Sequence, residues 1–369
     1  MSDQGIRLQL LIGRNDPRPA PPQVIDSLTS LEVTNNDRER DGFQLSFTLS
    51  RDSLAEYGLL QSGLLEPPNR LIASVTVRGQ SYVLIDGVIT NHQTAPSSDP
   101  GRSTLSVTGD DISLHLDLEE KNATYPNQSD SVIVQRILRS YAEFGLNPDV
   151  KETKEAPSET DRLTTQQGTD LSFIQELARR NGFVFYIEPT KPAESTAYFG
   201  PENRLGQPQP ALSMNMGPDS NLDGLNITYN ALGPTDPQAK MVDMPTRQSF
   251  SVPLPSGLPE PISFQPAAPL RRTIVRNTAH LNSIQAGLRT LTSANQSANA
   301  VTATGELNVV RYGRVLQARR LVSVRGVGNS NDGTYYVKQV THRLSRGEYK
   351  LSFTLEREGR GSLSRRVIS

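Results

Sequence analysis

The chain has 369 residues, with 27 Gly, 26 Pro and 4 His but no Cys and no Trp. At roughly 100–200 residues per domain, this length predicts two or three domains with real cores. The absence of cysteine excludes a disulfide scaffold, a thiolate nucleophile, an iron–sulfur cluster and a cysteine zinc site.

A formal charge of −1 conceals an asymmetry: Arg271 to Ser369 holds 17 Lys/Arg against 5 Asp/Glu, whereas Met1 to Leu270 holds 21 against 34. Opposite charges on two parts of one chain predict mutual docking or partners of opposite sign. No stretch reaches the ~18 apolar residues of a membrane span. Met1-Ser-Asp-Gln-Gly-Ile6 lacks the basic start and apolar block of a signal peptide. No finger, helix-turn-helix or aromatic-basic repeat is present, so neither nucleic-acid nor membrane binding is predicted.

The first ~117 residues read as strands, because short runs alternate apolar and polar residues between turn signals. Ile6, Leu8, Leu10 and Ile12 form one run, and Phe43, Leu45, Phe47 and Leu49 another. Leu71, Ala73, Val75 and Val77 form a third, which Gly79-Gln80 turns into Tyr82–Val88; a weaker strand surrounds Leu105 and Val107. Pro17–Pro22 is a spacer. From Asp117 the pattern changes. Ile133, Ile137, Leu138, Tyr141 and Phe144 keep helical spacing over Asp130–Phe144, with Asp130 or Ser131 as the cap. A second helix begins at Thr169-Asp170, carries Leu171, Ile174, Leu177 and Ala178, and ends at Asn181-Gly182. Strands follow at Phe183–Ile187 and Ala197–Phe199.

Leu225–Tyr229 and Lys240–Met244 read as a strand pair that completes the first sheet. Nine prolines between Gly233 and Leu270 predict an extended connector, centred on Pro253–Pro261. A helix over Asn277–Gln296 then leads into strands at Val301–Val309, Leu321–Val327, Thr334–His342 and Tyr349–Glu356. Gly359 to Ser369 reads as a mobile basic tail.

Catalytic signals are weak. Asp110-Asp111 and Glu119-Glu120 are sequence neighbours, not carboxylates converging from different elements. Gly326, Gly328 and Gly333 join two strands, so no helix N-terminus follows them to receive a phosphate. His92, His115, His280 and His342 show no ligand spacing. No G-x-S-x-G elbow occurs. The expectation is no enzyme, no catalytic residue, no metal and no cofactor.

Two segments carry a resemblance. Thr169-Asp-Leu-Ser-Phe-Ile-Gln-Glu-Leu-Ala-Arg-Arg-Asn-Gly-Phe-Val-Phe-Tyr-Ile187 resembles a helix-to-strand unit of the phage late control D proteins. That family includes the hub region of the type VI secretion spike. Val324-Arg-Gly-Val-Gly328 and Asp332-Gly-Thr-Tyr-Tyr-Val-Lys-Gln-Val-Thr-His342 resemble the family's ending. The resemblance implies a mainly β fold: two tube-like antiparallel β-barrel domains plus a smaller α/β section. On that reading, 1–117 form the first barrel, completed by 222–248, and 118–221 the α/β insertion. Residues 249–270 are the Pro-rich connector, 271–358 the second barrel with its leading helix, and 359–369 the basic tail.

The implied function is a structural baseplate hub of a contractile tail or injection system, made in the bacterial cytoplasm. It forms a homotrimer that joins a threefold spike to a sixfold inner tube. Because no spike segment follows, the implied partners are a separate spike protein, inner-tube or tube-initiator proteins and other baseplate components. Arg357, Arg360, Arg365 and Arg366 are the expected spike-proximal residues, since fused relatives continue into the spike from this end. A hub or tail-tip protein of a non-contractile phage is the alternative. A carbohydrate-binding β module lacks tryptophan platforms, and a packaged peptidoglycan hydrolase lacks a catalytic constellation.

Overall fold

The computed structural model describes residues 5–50, 57–99, 101–153, 163–242, 249–251, 261–276 and 283–363. The first unit contains β1 (Ile6–Gly13), β2 (Arg18–Pro19), α1 (Pro22–Ser27), β3 (Leu28–Asn36) and β4 (Gly42–Leu49). It continues with α2 (Gly58–Gln61), β5 (Arg70–Val77), β6 (Gln80–Ala95) and β7 (Ser103–Asp111). The strands are ordered β3–β4–β7–β6–β5–β1, all antiparallel, with β2 laid on the end of β1. Phe43, Leu45, Phe47 and Leu49 point inward and their neighbours outward, as the alternation predicts. The long β6 shifts register between Ile89 and Asn91, where it passes from β5 to β7; a bulge bends a strand in this way and curls the sheet.

The α/β section holds β8 (Glu120–Tyr125), α3 (Asp130–Arg139), β9 (Leu146–Val150), β10 (Thr164–Thr169), α4 (Asp170–Asn181), β11 (Val184–Lys191) and β12 (Glu194–Gly200). The cap of α3 is Ser129, whose side chain accepts from Val132 N, rather than Asp130 or Ser131. Asp130 instead turns inward and holds Arg180 and Asn181 at the far end of α4. The helix stops at Arg139, short of Phe144, and a 3₁₀ turn carries the chain into Gly145. Thr169 caps α4 and Gly182, at φ 70°, ends it, both as the sequence predicts. Ile133, Ile137, Leu138, Ile174, Leu177 and Phe199 belong to a core separate from that of the barrels.

The remainder comprises β13 (Gln209–Ser213), β14 (Leu222–Tyr229), β15 (Thr235–Gln238), β16 (Lys240–Val242), β17 (Ser249–Ser251), β18 (Ser263–Pro266) and β19 (Arg271–Ile274). They are followed by α5 (Ser283–Gln296), β20 (Val301–Asn308), α6 (Val309–Tyr312), β21 (Leu321–Arg325), β22 (Gly333–Ser345), β23 (Glu348–Arg357) and β24 (Gly359–Ser362). A second barrel runs β13–β21–β22–β23–β20–β14. Its ends meet at the β13–β14 turn, where Ser213 and Asn221 exchange two hydrogen bonds, one through the Asn221 side chain.

Residues 222–229 therefore do not complete the first sheet. β14 pairs with β20, because its apolar residues Leu222, Leu225 and Ile227 pack on the second barrel, and β16 pairs with β17. Short ladders also occupy part of the expected connector: β15 pairs with β19, and β18 pairs with β24. Residues 253–260 lie outside the described residues, as do Asn277–Asn282 at the start of the expected helix.

The two barrels join strand to strand. β22 pairs antiparallel with β3 from Gln339↔Asn36 to Ser345↔Ser30, so one uninterrupted sheet and one apolar cluster run through both. The same packing device flanks the seam on each side. Gly109 on β7 faces Phe43 on β4, and Gly305 on β20 faces Phe353 on β23. A methyl on Gly109 would meet the Val88 carbonyl oxygen and the Phe43 ring; one on Gly305 would meet Gly224 O and the Phe353 ring. Each of Gly109→Ala and Gly305→Ala is expected to cost about 1–3 kcal/mol by overpacking, measured by urea unfolding. A change below about 0.5 kcal/mol in both would show that the sheet relaxes freely there.

Candidate functional site: the barrel seam and the C-terminal ladder

Arg319 sits at the centre of the seam. It lies before β21 at φ 66°, fully enclosed, and its guanidinium reaches all three units. Nη2 donates to Asp41 Oδ1 and to Asn36 O, both at 2.6 Å, and Nε donates to Asn36 O at 3.1 Å. Nη1 donates to Ile187 O at 3.2 Å, and the group lies 4.2 Å from the centre of the Tyr186 ring, both in β11. Desolvation opposes the Arg319 charge, but Asp41, together with Glu188 and Tyr186, more than offsets it, so its pKa is raised. Burial pushes the Asp41 carboxyl up, against the pull of Arg319 and of donors from Asn35 and Asn36.

Asp111 stands behind Asp41. Its Oδ1 accepts from Ser113 N at 2.8 Å and its Oδ2 from Asp41 N at 3.1 Å. Burial, and then the Asp41 charge, push Asp111 up to about 7. The Asp110-Asp111 pair thus divides: Asp111 is internal, whereas Asp110 faces outward to Arg40 at 3.4 Å.

Outside the seam, the shared sheet presents a polar face. Thr304 and Glu306, Ser352 and Thr354, Gln339 and Thr341, Glu32 and Thr34, Gln44 and Ser46, and Ser106 and Thr108 alternate with inward residues on β20, β23, β22, β3, β4 and β7. Thr34 and Thr341 share a hydrogen bond of 3.1 Å across the seam, and Gln44 donates to Ser106 at 3.3 Å. This face is rich in hydroxyls, and its charges partly pair, as in Arg343–Glu32 at 3.1 Å. Further ion pairs, Arg320–Glu188 at 2.9 Å and Arg311–Asp223 at 2.6 Å, also join basic C-terminal residues to acidic ones before them. Part of the charge asymmetry is therefore spent within the chain.

The C-terminal arginines separate into different environments. Arg357 is buried and not a surface group: it donates to Asp332 O at 3.1 Å and Ser330 O at 2.8 Å, and stacks 4.2 Å over Tyr335. Its role is to brace the glycine loop, and burial lowers its pKa. Arg360 is exposed on β24, 3.9 Å over the Tyr229 ring. Arg365 and Arg366 lie outside the described residues. Residues 359–362 are an ordered strand rather than a mobile tail, since Gly359 is packed against Gln265 and Pro266.

The glycine loop is filled by its own contacts, with Val327 N donating to Asp332 Oδ1 and Asn331 N to Gly328 O. His342 is enclosed, 2.8 Å from the Tyr349 hydroxyl, and burial holds it down at about 3. His115 stacks on Phe144 at 3.8 Å, His92 is exposed, and His280 lies outside the described residues. Among the described residues, no three His, Asp or Glu side chains group in a way that could hold a metal ion. Among them, too, no helix is long and apolar enough to cross a membrane.

Replacing Arg319 with Met strands Asp41 and the Asn36 carbonyl in the interior, and is expected to cost about 3–5 kcal/mol in urea unfolding. A cost under about 1 kcal/mol would remove Arg319 from the centre of the seam.

The Alg8 N-terminal domain family matches residues 51–193, about two fifths of the chain. That span begins between β4 and β5 and ends in the β11–β12 turn, so it cuts across two cores. No curated protein matches the chain. Solved structures share the whole fold. The tail protein of Neisseria meningitidis MC58 is 12% identical with a TM-score of 0.63, over 96% of this chain and 97% of that one. The 43 kDa tail protein of prophage MuSo2 from Shewanella oneidensis is 14% identical with a TM-score of 0.62, over 95% and 99%. The E. coli c3393 protein is a component of the type VI secretion system, structurally similar to the T4 tail proteins gp27 and gp5. It is 16% identical with a TM-score of 0.55, over 93% and 77%. The chain thus has, almost end to end, the mainly β fold found in these phage-tail and type VI proteins.

Proposed function

We propose that the chain is the structural hub subunit of a contractile tail or tail-like injection particle, of the late control D type. Three copies form a ring that carries a separate spike on one side and meets the inner tube or its initiator on the other, among the other baseplate components. One observation carries this reading: two β-barrels are fused into a single sheet whose outer face is polar. Three such chains supply six barrels, which matches a threefold partner to a sixfold one by geometry and not by chemistry.

The end-to-end likeness of fold to the two tail proteins supports it, as does the type VI membership printed for the E. coli protein. A hub of a non-contractile tail would use the same architecture; a co-purifying sheath protein separates the two. Of the C-terminal arginines, Arg360 remains the described candidate for the spike side. Stacked on the exposed Tyr229 ring, it joins a charge to an aromatic surface.

Light scattering of the purified protein is expected to give three times the 40.5 kDa chain mass, more fully when the candidate spike is added. A species that stays monomeric with the spike would sink the ring. Arg360→Glu is expected to weaken spike binding about tenfold without lowering the melting temperature, as read by titration calorimetry. Unchanged affinity would remove this end from the spike interface.

A further inference from the structure

A second charged cluster lies at the same seam, apart from Arg319. Asp37, in the loop after β3, is 1% exposed. Its backbone N–H donates to Lys338 O at 3.1 Å, which fixes the residue against the second barrel. Its carboxylate is poorly served. Arg38 Nε is 3.8 Å from Oδ2, beyond hydrogen-bond length, and Oδ1 has no partner.

Its surroundings come from every unit. Glu202, in the segment leaving the α/β section, accepts from Arg38 at 2.6 Å and from Arg204 at 2.9 Å. Glu356 on β23 accepts from Lys338 on β22 at 2.6 Å and from Asn299 at 2.9 Å. Glu358, just past β23, accepts from Arg204 at 3.2 Å and from Ser263 N at 2.6 Å. Tyr336 on β22 is enclosed, with its hydroxyl unpartnered.

Glu202 and Glu356 thus crowd Asp37 with like charge, while Arg38 and Lys338 give their hydrogen bonds to those two carboxylates and not to Asp37. A buried carboxylate without a donor, beside like charges, is costly to ionise. One proton on Asp37 removes that cost.

We propose that Asp37 is a proton-operated clasp: protonated, it holds the two barrels and the segment leaving the α/β section together, and its ionisation loosens that seam. Burial, then Glu202, raise its carboxyl to about 7 against the pull of Arg38 and Lys338, with Glu356 adding to the rise. The folded chain therefore keeps a proton that the opened seam releases at an ordinary carboxylate value. Stability is fully present below that value, falls as pH rises to about 7, and is level above it.

The test is amide hydrogen exchange of the full chain at pH 5.5 and 8.5, corrected for intrinsic rates, in wild type and Asp37→Asn. Between the two pH values, opening of residues 36–41, 202–204 and 336–339 is expected to increase about thirtyfold more in wild type than in the variant. Equal protection at both pH values in wild type, or a variant that follows wild type, overturns the clasp. Because Asp111 is unchanged in both proteins, its own titration cancels. If the variant does not fold, the carboxyl carbon resonance of Asp37 in wild type decides: titration near 7 supports the clasp, and titration near 4 overturns it.

Discussion

The arrangement of the molecule depends on one buried cation. Barrel against barrel is a ladder of backbone hydrogen bonds, and such ladders tolerate slippage when the residues on both faces are alike. At the seam the buried inner face, with Leu31, Val33, Val340 and Leu344, forbids a one-residue slip, but the outer residues are mostly hydroxyls and do little against a two-residue one. Arg319 supplies what the ladder lacks. Its planar donors take up the Asn36 carbonyl, the Asp41 carboxylate and the Ile187 carbonyl together, so a shift of one unit against the others would part them. A pair buried this deeply contributes little net stability compared with an apolar substitute, but it strongly penalises misalignment.

That logic clarifies where charge resides in the protein. The positive C-terminal part and the negative remainder meet first inside the chain. The most enclosed contact is between Arg319 and Asp41, and more exposed pairs such as Arg343–Glu32 lie farther out. Exposed pairs of this kind are worth little individually and weaken with salt. What remains unpaired, including Arg360 on its aromatic support, is the charge available to partners.

Much of the fold was legible in the sequence. Alternation located β1, β4, β5 and β23, and Thr169 and Gly182 marked both ends of α4. The strand that matters most for assembly, β3, was not legible. Its inward residues are Leu28, Leu31 and Val33, and the register shift between Leu28 and Ser30 breaks their period of two. The affiliation of β14 was equally hidden, since alternation marks a strand but not which of two sheets it joins. At the C-terminus, composition grouped Arg357 with Arg360. One position on a strand separates inward from outward only when register is known, and Arg357 lies on the inner side at the end of β23. Arg319 and Asp37 carried no signal, because each acquires its meaning from groups far away in the chain.

The seam also sets an order of events during synthesis. Thr34 and Thr341 are separated by 307 positions, so β3 is made early and its partner strand almost last. At 5–20 residues per second, a ribosome leaves the outer edge of β3 uncovered for roughly 15–60 s after that strand emerges. Open edges of this kind recruit other strands. The nascent protein therefore passes through an interval in which neighbouring chains on one message can pair at the wrong edge, and the finished product is secured only as the last tenth of the polypeptide arrives.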